Sequence, residues 1–163
     1  MLYRFIRVTS ISAIMLLALM LFAPVAFGQS TPVTYKTDVA VTNQGTTNQC
    51  SSGGEPVLLN GNMHAEMTFT TDSSGVNHFS ITVSNNLNGS GQNSGLSYTA
   101  QDSNSYTINT GGAAGDITVE FRSDLTPVGG GASMTLIQNL HLNADTTGNL
   151  GLEVKDNSTQ CGS

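Results

Sequence analysis

Tryptophan is absent from this chain of 163 residues, and basic side chains number only five. Two of those five, Arg4 and Arg7, stand at the extreme N-terminus. Residues 29–163 therefore set Lys36, Arg122 and Lys155 against all eleven acidic residues, a net charge of −8 where the whole chain has −6. A surface with that balance repels phosphate backbones and anionic lipid, which argues against nucleic-acid partners and adsorption to membranes. Aromatic residues are few: Tyr35, Tyr98, Tyr106, Phe69, Phe79 and Phe121 are the only ones after residue 28. The girdles of an outer-membrane barrel and the stacking platform of many sugar-binding proteins both need more. Helical periodicity is missing everywhere after Phe27.

Long apolar runs are equally scarce, with one exception. Ala13–Phe22 is uninterrupted, preceded by the two arginines and followed by Pro24 and Ala26-Phe27-Gly28. A basic start, a short apolar stretch and small residues at a cleavage point are the features of a secretory signal peptide, here 1–28. The stretch is shorter than the roughly 20 residues that a membrane-spanning helix requires. The expectation is export to the periplasm or beyond, with no membrane insertion after cleavage and an envelope or extracellular partner. Only two cysteines occur, Cys50 and Cys161. An exported chain with an even cysteine count points to a disulfide between them. Closing so long a loop contributes roughly 4–5 kcal/mol in the chain-entropy description.

Thr, Ser, Asn and Gly supply most of what remains, a mix suited to strands and turns. From Val57 to Phe69 every odd position is apolar or glycine, and apart from Leu58 every even one is polar. Period-2 alternation over that length predicts a long half-buried strand. Thr71–Gly75 then reads as a turn, and Phe79, Ile81 and Val83 continue the apolar face. A three-residue loop sets Met67 against Ile81 and Phe69 against Phe79; a two-residue loop puts the faces on opposite sides and is rejected. A polar, Gly-rich loop is expected at 85–94. Shorter alternating runs follow: Leu96, Tyr98 and Ala100; Tyr106 and Ile108; Ile117, Val119 and Phe121; Met134 to Leu142; and Leu150 to Val154. Gln138 is the one polar residue on the apolar side of the Met134–Leu142 run. The expected fold is all-β, an antiparallel sandwich or an up-and-down barrel of seven to eight strands with one disulfide. The single β-domain is placed at 50–163, with 29–49 as a lead-in segment that has room for one strand.

Candidate chemistry is thin. His64 and His78 share the polar face of the first hairpin with Glu66, but the register puts the two histidines about 20 Å apart at ~3.3 Å per residue. Glu55, between Gly53-Gly54 and Pro56, reads as a carboxylate accepting backbone N–H groups in a turn, or as one member of a catalytic pair whose second member is unspecified. Glu55, Glu66, His64 and His78 are thus the weak catalytic candidates. No nucleophile elbow, phosphate-cradling loop or complete calcium loop is present, so neither metal nor cofactor is expected. Asn88-Gly89-Ser90 and Asn157-Ser158-Thr159 match the glycosylation sequon.

Cys50, Gly54-Glu55, Gly61, His64, Gly75, His78, Gly95 and Tyr98 together resemble a group of small secreted bacterial proteins that have a signal peptide, then a cysteine and Gly-Glu leading into a strand with Gly and His. The chain departs from the group in carrying one more residue between Cys50 and Gly54, and Gln49 where the group has proline. The resemblance implies compartment and β architecture, and no activity. The expected function is an exported, non-enzymatic β-domain with a binding or envelope-structural role. Two alternatives stay open: a small carrier of an apolar ligand, with a cavity lined by Met63, Met67, Met134 and Leu136, and a secreted carbohydrate- or ester-active hydrolase.

Overall fold

The computed structural model describes residues 30–51, 53–110, 116–145 and 147–161, and the segment 1–28, read from sequence as a signal peptide, lies outside them. All regular structure among the described residues is β. The strands are β1 (Val33–Asn48), β2 (Glu55–Thr71), β3 (Asn77–Gly91), β4 (Ser97–Ala100), β5 (Ser103–Thr110), β6 (Asp116–Pro127), β7 (Met134–Ala144) and β8 (Leu150–Cys161). They form one antiparallel sheet in the order β1-β2-β3-β4-β6-β7-β8, with β5 also paired to β3. The sheet curls until β8 meets β1, a nearly closed up-and-down barrel.

Inward faces follow the alternation read from the sequence. Val57, Leu59, Met63, Ala65 and Met67 of β2 meet Phe79, Ile81, Val83 and Leu87 of β3 and Leu136, Leu140 and Leu142 of β7 in one buried core. The first hairpin has the expected register, Phe69 opposite Phe79 and Met67 opposite Ile81. Its loop is closed by Asp72, whose Oδ1 accepts from Ser74 N at 2.8 Å and Val76 N at 3.0 Å. Gly75 takes the left-handed conformation there, φ 84°. Asp145 repeats the device between β7 and β8, accepting from the backbone N–H groups of Thr147 and Asn149 at 2.9 Å each.

Two segments carry more strand than their composition suggests. The 29–49 lead-in forms β1, paired with β2 from Val33↔Phe69 to Asn48↔Glu55 with a bulge between Val41 and Gln44. The expected loop at 85–94 is strand as far as Gly91. Its inward positions Asn85, Leu87, Gly89 and Gly91 are buried. Glycine is needed there because neighbours fill the space: a Cβ on Gly89 would lie 3.0 Å from both Leu59 and Val57, and one on Gly91 would collide with the Glu55 carboxylate.

β4 and β5 are two lengths of a single strand. Their pairings with β3, Ser90↔Ser97 to Leu87↔Ala100 and then Ser84↔Ser103 to Asn77↔Thr110, keep one unbroken register. At the break Asn85 N donates to Asp102 O at 3.0 Å, and Asp102 N donates to Asn85 Oδ1 at 2.9 Å. The meander thus makes seven passes, and because each neighbour is antiparallel to the last, β8 runs parallel to β1. That seam is held by the Cys50–Cys161 disulfide (Cα–Cα 5.3 Å) and by the Thr159 hydroxyl donating to Thr47 O. The disulfide fits an oxidising, non-cytoplasmic environment. Among the described residues no helix is long and apolar enough to cross a membrane.

Candidate functional site

The three histidines lie apart, each beside its own aspartate. His64 Nδ1 is 2.9 Å from Asp38 Oδ1, across the β1–β2 pair. His78 Nε2 is 3.0 Å from Asp72 Oδ2, and its Nδ1 is 2.7 Å from Asn109 Oδ1. His141 Nε2 is 3.1 Å from Asp116 Oδ1. His78 pairs in register with Thr70, six residues along β2 from His64, or about 20 Å at ~3.3 Å per residue. Glu66 faces solvent and pairs with Lys36 at 2.8 Å. The aspartate and asparagine on either side of His78 stabilise the protonated imidazole and raise its pKa above the ordinary 6.5.

Glu55 lies at the head of β2 and points into the barrel end, buried. Its Oε1 accepts from Ser94 N at 2.8 Å and its Oε2 from the Tyr98 hydroxyl at 3.0 Å. Asn48 Nδ2 donates to the same hydroxyl at 3.0 Å, while Asn48 Oδ1 accepts from Cys50 N at 2.8 Å. Hydrogen bonds from Ser94 outweigh burial and hold the Glu55 carboxyl below its usual range. Burial pushes the Tyr98 hydroxyl up, with Glu55 adding to the effect. A carboxylate with both oxygens committed to donors from the β3–β4 loop and β4 is an anchor for that loop and for the disulfide turn. Its backbone donor, Ser94, comes from the β3–β4 loop and not from the Gly53-Gly54 turn in which the sequence set it.

The concavity that stands out is on the outer face, where the β4–β5 strand breaks. It has a volume of about 600 Å³ and is lined by Asn62, His64, Ser84, Asn85, Asn86, Gln101, Asp102 and Ser103. Register explains the grouping. Asn62 lies opposite Asn86, and His64 opposite Ser84, so outward side chains of β2 and β3 form two rows; Ser103 extends the second across β5. Beneath, Asn85 is buried and its Nδ2 donates to Ser123 Oγ at 3.0 Å, while Asp102 Oδ2 accepts from Asp124 N at 2.8 Å. Hydrogen bonds therefore fix both β3 and the strand break to β6 beneath the cleft. Of these residues only His64 was a candidate from sequence; Asn85 and Asn86 fell in the stretch read as loop, and Asn62 and Ser84 were plain polar positions of the first hairpin.

Comparison with protein-family models, curated proteins and solved structures found no significant match. Among the described residues no three His, Cys, Asp or Glu side chains gather as metal ligands. The chemistry on offer is hydrogen bonding: amides, hydroxyls, one imidazole and one carboxylate on a rigid sheet. Its volume falls in the range of small-ligand sites.

Proposed function

We propose that this chain is an exported, non-enzymatic β-domain that acts by binding, and that the cleft at the β4–β5 break holds a saccharide. The observation carrying this reading is the lining of that cleft. Paired amides and hydroxyls present donors and acceptors in rows, suited to a neutral ligand dense in hydroxyl groups, and the sheet holds them in place before the ligand arrives. Export rests on the N-terminal pattern together with the disulfide, and the resemblance to small secreted bacterial proteins agrees with it.

Two other readings have less support. The residues that would line a carrier's cavity, Met63, Met67, Met134 and Leu136, are each no more than 2 % exposed and belong to the filled core. A hydrolase would draw on Glu55 or a histidine, and these are engaged with separate partners far from one another.

A panel of neutral oligosaccharides titrated into the folded protein tests the proposal by calorimetry. At least one should bind, and Asn86→Ala with Gln101→Ala should weaken it by about tenfold or more, the equivalent of one to two lost hydrogen bonds. Absence of binding across the panel, or undiminished binding by the double variant, overturns the saccharide reading.

A further inference from the structure

The barrel interior turns polar along one half of the seam between β1 and β8. Along β1 the inward residues are Tyr35, Thr37, Val39 and Val41 until the bulge, and then Gln44, Thr46 and Asn48. β8 changes in the same way. Leu150, Leu152 and Val154 face in, a bulge opposite Asn139 and Leu140 adds one residue, and Asn157 and Thr159 then take the inward positions opposite Gln138 and Leu136. Because β1 and β8 run parallel, both changes fall in the same half of the barrel, the half closed by the disulfide.

A groove of about 420 Å³ opens between the two strands there, lined by Gly45, Thr46, Thr47, Gln49, Asn157, Ser158 and Thr159, none of them charged. Among the described residues two buried polar side-chain atoms have no hydrogen-bond partner, one in the lining of this groove and one behind it on β7. Thr46 is 9 % exposed, lines the groove, and its Oγ1 is unpartnered. Gln138 is wholly buried; its Nε2 donates to Gln44 Oε1 at 3.2 Å, but its Oε1 is unpartnered. An unpaired buried polar group destabilises a fold, so such groups are rare unless something else meets them. The backbone adds to the site. Thr47 directs its backbone groups away from β2, since its register partner Pro56 turns its own carbonyl to Gln92 on the far side, and Thr47 O accepts from the Thr159 hydroxyl across the seam. Gly45, two residues earlier, directs its backbone groups to the same side by the alternation of a strand.

We infer that the β1–β8 seam is a second binding site, for a neutral polyhydroxylated ligand whose hydroxyl groups reach between the strands to Thr46 Oγ1 and Gln138 Oε1. A hydroxyl suits both atoms: it can donate to Gln138 Oε1, which only accepts, and can donate to or accept from Thr46 Oγ1. Absence of charge in the lining excludes ionic ligands. The site is independent of the cleft at the β4–β5 break, which belongs to β2, β3 and β5 and shares no residue with it.

Isotope-labelled protein titrated with glucose-, mannose- and N-acetylglucosamine-based trisaccharides, followed by amide chemical shifts, separates the two sites in one experiment. Saturable shifts at Gly45, Thr47, Ser158 and Thr159 are expected. Thr46→Val, which keeps the shape and removes the hydroxyl, should weaken the seam by roughly tenfold while amides around Asn62, Ser84 and Gln101 respond as before. Ser158→Ala, on the exposed side of the groove, should weaken it without touching the buried pair. Shifts confined to the cleft of β2 and β3, no shifts with any of the three sugars, or unchanged seam affinity in Thr46→Val each overturn the inference; the first of these leaves the proposed function standing.

Discussion

Carboxylates in this protein act mainly as acceptors for nearby N–H and O–H groups. Glu55 was legible as a turn carboxylate because Gly53-Gly54 and Pro56 surround it. Its donors were not, since Ser94 and Tyr98 are 39 and 43 residues away and arrive only when β3 has delivered its loop. Asp72 was legible as part of a turn, and it does more: hydrogen bonds from Ser74 and from His78 hold its carboxyl far below the ordinary range. That pair makes a prediction of definite sign. A histidine with a raised folded pKa contributes stability that is full below its unfolded value of 6.5 and lost as pH climbs through the folded one. A depressed aspartate contributes above its unfolded 3.8 and loses that contribution as pH falls through the folded value. The local gain is therefore greatest between about pH 4 and pH 6.5. In urea unfolding at a series of pH values, the midpoint difference between the native chain and His78→Gln should be largest near pH 5–6 and shrink by pH 9. A constant difference over that range would show that the imidazole does not titrate against Asp72.

At the scale of strands, what the sequence made readable was whatever alternation makes readable. The β2–β3 hairpin followed from face coincidence, because slipping by one residue would turn Met67 and Phe69 outward. The second half of β3 was not readable, since Asn85, Asn88, Gly89 and Gly91 are poor strand formers by propensity; the two glycines are favourable here for a tertiary reason, because Val57, Leu59 and Glu55 occupy the volume a side chain would need. Nor does a local pattern show that β4 and β5 are one strand. Their continuity depends on Asn85, which takes the place of a ladder partner at the break and also reaches Ser123. Replacing Asn85 by Ala leaves Asp102 N and Ser123 without that partner and should cost about 1–3 kcal/mol, the usual penalty for unpaired buried groups. Hydrogen exchange should localise the damage to 99–104 and 122–124. Exchange that rises evenly over the barrel would mean the break has no dependence on this side chain.

For the molecule as a whole, the pairing of the two cysteines was plain from the start, but Cys50 follows β1 rather than preceding every strand, so the bond joins first strand to last. The seam itself was not foreseeable, because whether seven passes or eight are made depends on the break at residues 101–102. Cys50→Ser with Cys161→Ser, or reduction of the native protein, should lower unfolding free energy by about 4–5 kcal/mol for a closed loop of this length. Urea unfolding with and without reductant measures it. A loss below ~1 kcal/mol would show that the sheet holds the seam closed alone, through contacts such as the Thr159–Thr47 bond. Polar inward residues along β1 and β8 make the larger loss the expected result, since little apolar surface bridges the strands near the disulfide.

Seven passes also decide where attachments must leave. In a meander with an even number of strands the first and last residues share a pole. Here Val33 and Cys161 sit at opposite poles, because β1 and β8 point the same way. The 12 residues of β8 alone amount to about 40 Å of strand at ~3.3 Å each. A circular permutant would therefore need a linker long enough to climb the outside of the barrel. Fusions placed at the two ends would be held apart as by a strut, and force applied through them would run along the strands and shear the seam lengthwise.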